Sequence, residues 1–132
     1  RAYLQSAAEF FLTHAEEYQY SADLSGLRQK LLALKGIGPE TADSILLYAF
    51  QRPVFVIDAY TRRVASRHLG LPDGLGYDRL QAIFQDALPL DVQLYNEYHA
   101  LIVRFCKESC RKNQCGARCP PPGAAIIPTR SC

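Results

Sequence analysis

The chain has 132 residues, enough for one hydrophobic core and one domain. Fifteen Lys and Arg stand against thirteen Asp and Glu, a net charge of +2, so total charge does not mark a nucleic-acid binder. No apolar run approaches the roughly 20 residues of a membrane span, and no signal-peptide pattern opens the chain, so neither a spanning helix nor a leader is expected.

Apolar residues then recur at helical spacing. Leu4, Ala7, Ala8, Phe11, Leu12, Ala15 and Tyr18 predict an amphipathic helix over about 3–18. After the polar break at Ser21, Asp23 or Ser25 can cap a second helix, which carries Leu27, Leu31 and Leu34 on one side and ends at Lys35. A third helix runs from Pro39 to about Phe50, with Ala42, Ile45, Leu46 and Ala49 facing inward. The β-branched run from Arg52 to Ile57 has no partner strand in a chain otherwise helical and reads as a buried connector. Further helices follow over 59–69, around Leu80, Ile83, Phe84 and Ala87, and over about 92–107 around Tyr95, Tyr98, Ile102 and Phe105. The expected fold class is all-α, divided into a helical region, residues 1–105, and a Cys-rich tail, residues 106–132.

Between the second and third helices lies Leu34-Lys35-Gly36-Ile37-Gly38-Pro39-Glu40-Thr41-Ala42. Gly36 and Gly38 allow backbone angles that a side chain forbids, and Pro39 suits the first turn of a helix. Such a hairpin points backbone N–H groups forward, which favours an anion. It also serves as an ordinary corner between two helices. Sixteen residues beyond Ala42, Asp58 follows the connector and precedes a helix. It reads either as a plain N-cap or as an acid placed at the end of a rigid run. His14 and His99 lie on amphipathic helices and read as ordinary surface or core-edge residues. Arg63 reads as structural or phosphate-facing.

Arg104, Lys107, Arg111, Lys112 and Arg118 crowd the C-terminal part, with Glu108 the one acid among them, and a local basic patch can contact phosphates at low net charge. Cys106, Cys110, Cys115 and Cys119 fall within fourteen residues and Cys132 ends the chain. Four cysteines that dense read as a metal or iron–sulfur site in an intracellular protein.

The continuous string LKGIGPETADSILLYAFQRPVFVIDAYTRRV, Leu34 to Val64, resembles the helix-hairpin-helix and Gly/Pro-rich loop with aspartate of the endonuclease III superfamily of DNA glycosylases, and weaker similarity runs to Cys119. GIGPETADSILLYA and VIDAYTRRV most resemble the 3-methyladenine glycosylase branch. The resemblance implies a helix-hairpin-helix glycosylase fold and a DNA repair enzyme acting on duplex DNA with a damaged base, an alkylated purine by branch. It implies Asp58 as the catalytic carboxylate, and Lys35, Gly36, Ile37, Gly38, Glu40 and Thr41 as the DNA-binding hairpin. Tyr60 stands where other members often have His, so it lines the pocket or simply packs.

Bifunctional relatives carry a lysine two residues beyond the second hairpin glycine, whose amine forms a Schiff base with the sugar. Glu40 occupies that position here and cannot form an imine. The expectation is a monofunctional glycosylase without an efficient lyase step. Relatives often hold a [4Fe-4S] cluster on C-x6-C-x2-C-x5-C. This chain departs from that, with C-x4-C-x3-C-x12-C from Cys110. The ligands expected by similarity are Cys110, Cys115, Cys119 and Cys132, with Cys106 as an alternative fourth. A [4Fe-4S] cluster, zinc, or a metal-free tail are the three readings of that region. Members carry helices before this point, so the chain, which starts at Arg1 and contains no Met, is expected to lack an N-terminal part. A monomer, cytoplasmic and nucleoid-associated in a bacterium, completes the expectation. The alternatives are a helix-hairpin-helix module that binds DNA without catalysis, and a glycosylase of the same fold for a mismatch or oxidised base.

Overall fold

The computed structural model describes residues 2–113. Among them are six helices and no strand: α1 (Ala2–Tyr20), α2 (Leu24–Leu32), α3 (Pro39–Ser44, extended by a π-helical turn, Ile45–Ala49), α4 (Ala59–His68), α5 (Tyr77–Ala87) and α6 (Val92–Glu108). The all-α class and the helix-hairpin-helix arrangement are as the sequence implies.

Asp23 is the residue that caps α2, accepting the Gly26 N–H at 2.9 Å. The helix ends at Leu32, not Lys35, because Leu34, Gly36 and their neighbours already form the hairpin. Asp58 and Asp91 cap α4 and α6 in the same way, accepting the N–H of Thr61 and Leu94, each at 2.7 Å. The Arg52 guanidinium reaches back to the carbonyls of Tyr18, Gln19 and Ser21, where α1 and the bend after it leave acceptors unsatisfied.

The apolar residues gather in two clusters. Tyr18, Leu27, Leu31, Ala42, Leu46 and Val54 form one, between α1, α2 and α3. Leu47, Phe55, Val56, Ile57, Val64, Ala65, Leu80, Phe84, Tyr95, Ile102, Cys106 and Cys110 form the other. Two adjacent pairs, Leu46 with Leu47 and Val54 with Phe55, contribute one residue to each cluster and so join them. The third helix does not keep the expected inward stripe. Ala42 and Leu46 are buried, but Leu47 is buried too and Ala49 is exposed. The π turn is the reason. Phe50 donates to the Ile45 carbonyl at 3.3 Å, one residue further back than in an α-helix, and the face after Ile45 rotates accordingly.

Residues 51–58 form the connector, which is buried over 54–57. A buried backbone must find partners, and here several come from side chains of α5. The Gln81 amide donates to the Phe55 carbonyl at 2.8 Å, Gln85 Oε1 accepts the Phe55 N–H at 2.9 Å, and the Tyr77 hydroxyl accepts the Ile57 N–H at 3.1 Å. The Phe55 ring stacks on Phe84 at 4.7 Å between centroids. Gln81 is fixed in turn by Asp43, which is 0% exposed and accepts from Gln81 at 2.8 Å and from Arg28 at 2.7 and 3.1 Å. This one carboxylate ties α2, α3 and α5 together and orients the side chain that holds the connector.

Removing Asp43 strands a largely buried guanidinium and the Gln81 amide. Asp43→Ala is expected to cost about 3–5 kcal/mol in urea unfolding. Asp78, which meets the same Arg28 from an exposed position, gives the contrast: Asp78→Ala is expected to cost under about 1 kcal/mol.

Candidate active site and nucleic-acid interface

The hairpin presents an open face. Lys35, Gly36, Gly38, Glu40 and Thr41 are exposed, and Ile37 is partly buried against the first cluster, anchoring the turn. Gly36 has φ +88°, a conformation that a side chain strains. Gly38 differs from expectation: its φ of −92° and ψ of 178° suit any residue. A Cβ there would meet nothing within 4 Å. The protein's own packing therefore does not require glycine at 38, and the space in front of it is open. Gly38 gives α3 no capping side chain and Pro39 has no N–H, so the N–H groups of the first turn face outward without a cap.

Asp58 stands at the other end of the connector. Its side chain is 14% exposed and both oxygens are engaged. Oδ1 accepts the Thr61 N–H at 2.7 Å, and Oδ2 lies 2.8 Å from Nε2 of His99 on α6. Burial pushes the Asp58 carboxyl up, but the hydrogen bonds from His99 and Thr61 outweigh it and hold the carboxyl below its ordinary value. The other ring nitrogen of His99 lies 2.7 Å from the hydroxyl of Tyr48, on the π turn. His99 is thus no ordinary core-edge histidine, as its helical position alone suggests. Its partners come from residues 41 and 51 positions away, a juxtaposition that no local pattern carries. Beside it a cleft of about 480 Å³ is lined by His99, Ala100, Val103, Arg104, Lys107 and Glu108.

Tyr60 packs against the second cluster, with the Arg63 guanidinium 5.5 Å from its ring centroid. Arg63 also donates to the Cys110 carbonyl at 2.8 Å, a structural role. Arg67 donates to the carbonyls of Arg111 at 2.8 Å and Lys112 at 2.6 Å, so α4 holds the start of the C-terminal segment. In the basic stretch, Arg104 pairs with Glu108 at 3.0 Å, and Arg118 lies outside the described residues.

Of the candidate metal ligands, Cys115, Cys119 and Cys132 lie outside the described residues. Cys110 is fully buried, its sulfur 3.5 Å from an Arg67 nitrogen and 3.4 Å from His68 Nε2. Cys106 is buried beside it, its thiol pointing to the Tyr60 carbonyl at 3.7 Å, and burial, with Cys110 adjacent, pushes that thiol up to about 11. Among the described residues no group of three or more His, Cys, Asp or Glu is arranged to hold a metal.

Asp58 is both the cap of α4 and the partner of His99, and two substitutions separate these roles. Asn keeps the cap but loses the charge that the His99 bond favours, so Asp58→Asn should cost less than Asp58→Ala, which loses the cap as well, worth about 1 kcal/mol. Thermal melts of the two variants check this.

The chain matches no protein-family model. It is 51% identical over 94 residues to a candidate DNA repair glycosylase of Methanocaldococcus jannaschii, covering 71% of this chain and 43% of that protein. It is 30% identical over 112 residues to endonuclease III of Sulfolobus acidocaldarius, covering 85% of this chain and 48% of that one. The chain thus spans about half the length of the curated relatives it matches. Among solved structures, a non-covalent endonuclease III–DNA complex has the same fold, with a TM-score of 0.58 at 21% identity, over 66% of this chain and 40% of that one. The 3-methyladenine DNA glycosylase of H. pylori bound to 1,N6-ethenoadenine gives a TM-score of 0.53 at 31% identity, over 73% of this chain and 51% of that one. These relatives and neighbours are endonuclease III-like proteins and DNA glycosylases, a 3-methyladenine glycosylase among them, and the chain belongs with that superfamily.

Proposed function

We propose that this protein is a monofunctional DNA N-glycosylase that releases a damaged base, an alkylated purine by preference, from duplex DNA. The observation that carries the reading is Asp58: a largely buried carboxylate held ionised at the end of a rigid connector, on the same small domain as an open glycine hairpin. The hairpin would grip a phosphate through its uncapped N–H groups, with Lys35 adding charge, and would fix the enzyme on the duplex without reading sequence. The base must leave the stack to be reached. As the glycosidic C–N bond breaks, the base takes the electron pair and positive charge builds on the sugar. A preorganised carboxylate stabilises that charge. Water adds at the sugar carbon and gives up its proton, leaving an abasic site.

A carboxyl held low is a weak base, so the chief task of Asp58 is electrostatic. Glu40 at the lysine position of the bifunctional relatives supports water as the only nucleophile. Support for the alkylpurine preference comes from the resemblance of both motifs to that branch and from the H. pylori neighbour. Tyr60 is assigned to the wall of the base pocket. Cys110, Cys115, Cys119 and Cys132 would hold a [4Fe-4S] cluster, or zinc, whose contribution is to brace the basic C-terminal segment. Iron analysis and visible absorbance of the purified protein check that assignment. The enzyme is proposed to act as a monomer in the cytoplasm, on chromosomal DNA.

The full-length protein is expected to release methylated purine from duplex DNA, and Asp58→Asn to lower the single-turnover rate at least a hundredfold while binding is kept. Borohydride should trap no enzyme–DNA adduct. Binding with no base release by the unaltered protein would favour a non-catalytic DNA-binding module instead, and release of only mispaired or oxidised bases would move the substrate class. Gly38→Ala isolates the hairpin: it should leave the melting temperature unchanged, yet weaken DNA binding about tenfold, which is about 1.4 kcal/mol, in a salt titration.

A further inference from the structure

Resting on the glycosylase reading, we infer that Tyr48 and His99 are a positioning pair for Asp58 whose charge state sets whether the site works: neutral His99 leaves Asp58 its full negative charge, and protonated His99 cancels it. Tyr48 lies within the Leu34–Val64 string and His99 on α6, and the resemblance assigns neither a role.

The hydrogen-bond directions follow from donor inventory. An ionised carboxylate only accepts, so His99 Nε2 carries the proton in the 2.8 Å bond to Asp58 Oδ2. With the ring neutral, Nδ1 is an acceptor and the Tyr48 hydroxyl donates to it at 2.7 Å. Burial and the nearby Asp58 charge push the Tyr48 hydroxyl up, so it keeps the proton it donates. Both ring nitrogens are then committed, and the ring cannot turn over without breaking both bonds.

Capping does not explain this arrangement. The Thr61 N–H on Oδ1 is all that α4 requires, and the bond from His99 to Oδ2 adds nothing to that helix. The π turn does explain how Tyr48 gets there. With Leu47 turned inward and Ala49 outward, Tyr48 stands half-exposed at the edge of α6, its ring centroid 6.1 Å from that of His99. The helix that begins at the hairpin therefore ends on the group that orients the acid.

Protonation changes two things. Nδ1 gains a hydrogen, which obliges the Tyr48 hydroxyl to turn from donor to acceptor. The Asp58–His99 pair also becomes net neutral and no longer offers the developing sugar cation a negative partner. Asp58 and Tyr48 contact the ring from α4 and the π turn. From its own helix, Arg104, Lys107 and Glu108 share the cleft with it, and Arg104 is paired with Glu108. Asp58 is thus the carboxylate in contact with the ring among the described residues, and its charge is the one that protonation offsets.

The test is single-turnover release of methylated purine by the full-length protein from about pH 8 to about pH 5, the range in which histidines change charge. The unaltered enzyme should lose at least tenfold in rate on acidification. His99→Gln keeps an N–H donor for Asp58 but takes up no proton, and its profile should run flat over the same range. A flat profile for the unaltered enzyme, or an unchanged acid limb in His99→Gln, overturns the inference while leaving the glycosylase reading intact. Absence of base release at every pH overturns the glycosylase reading and this one with it. A second measurement needs no turnover: ¹⁵N shifts of the His99 ring in its neutral form should show Nε2 protonated and Nδ1 bare, and Asp58→Asn should erase that preference. The opposite tautomer in the unaltered protein contradicts the pair.

Discussion

The buried connector before Asp58 is the constraint on which the rest of the structure depends. It is a peptide run with no strand beside it, buried between two apolar clusters, and its N–H and C=O groups need partners. The side chains of α5 supply three of them, from Tyr77, Gln81 and Gln85. Gln81 can do so because Asp43 holds it, and Asp43 can be buried because Arg28 pairs with it through two hydrogen bonds. A chain of polar contacts from α2 to α5 thus sets where the connector ends, and it ends on Asp58.

The same economy recurs at the site. Asp58 closes the connector, caps α4 and receives a hydrogen bond from α6, so three elements meet on one carboxylate. Two N–H donors hold it charged despite its burial. The hairpin lies at the other end of the helix that carries Tyr48. Its open glycine at 38 has no internal contact to fill. On the proposed reading, phosphate grip and acid placement are built on one short helix and the peptide run that follows it.

Much of this was legible in the sequence. Helical periodicity located all six helices, and cap residues located two of their starts: Asp23 and Asp58 lie where their side chains can meet the first-turn N–H groups. The connector could be read as such because a β-branched run without a partner run is not a strand. Other features were hidden for physical reasons. The π turn leaves no signature in apolar spacing, so Ala49 was expected inside and Leu47 was not. His99 and Tyr48 meet Asp58 only through tertiary packing, across 41 to 51 residues. Gly38 looked like a glycine required by φ, whereas the backbone there is ordinary and the space in front of it is what distinguishes the position.

The central claim is that Asp58 is a carboxylate held ionised by the hydrogen bonds that reach it from α4 and α6. Its ¹³C carboxyl shift, followed through an acid titration, tests this directly. The account predicts a midpoint clearly below the ordinary aspartate value of about 3.9, moving upward in His99→Leu, where one donor is lost. A midpoint at or above that value in the unaltered protein, or one indifferent to the loss of His99, would contradict it.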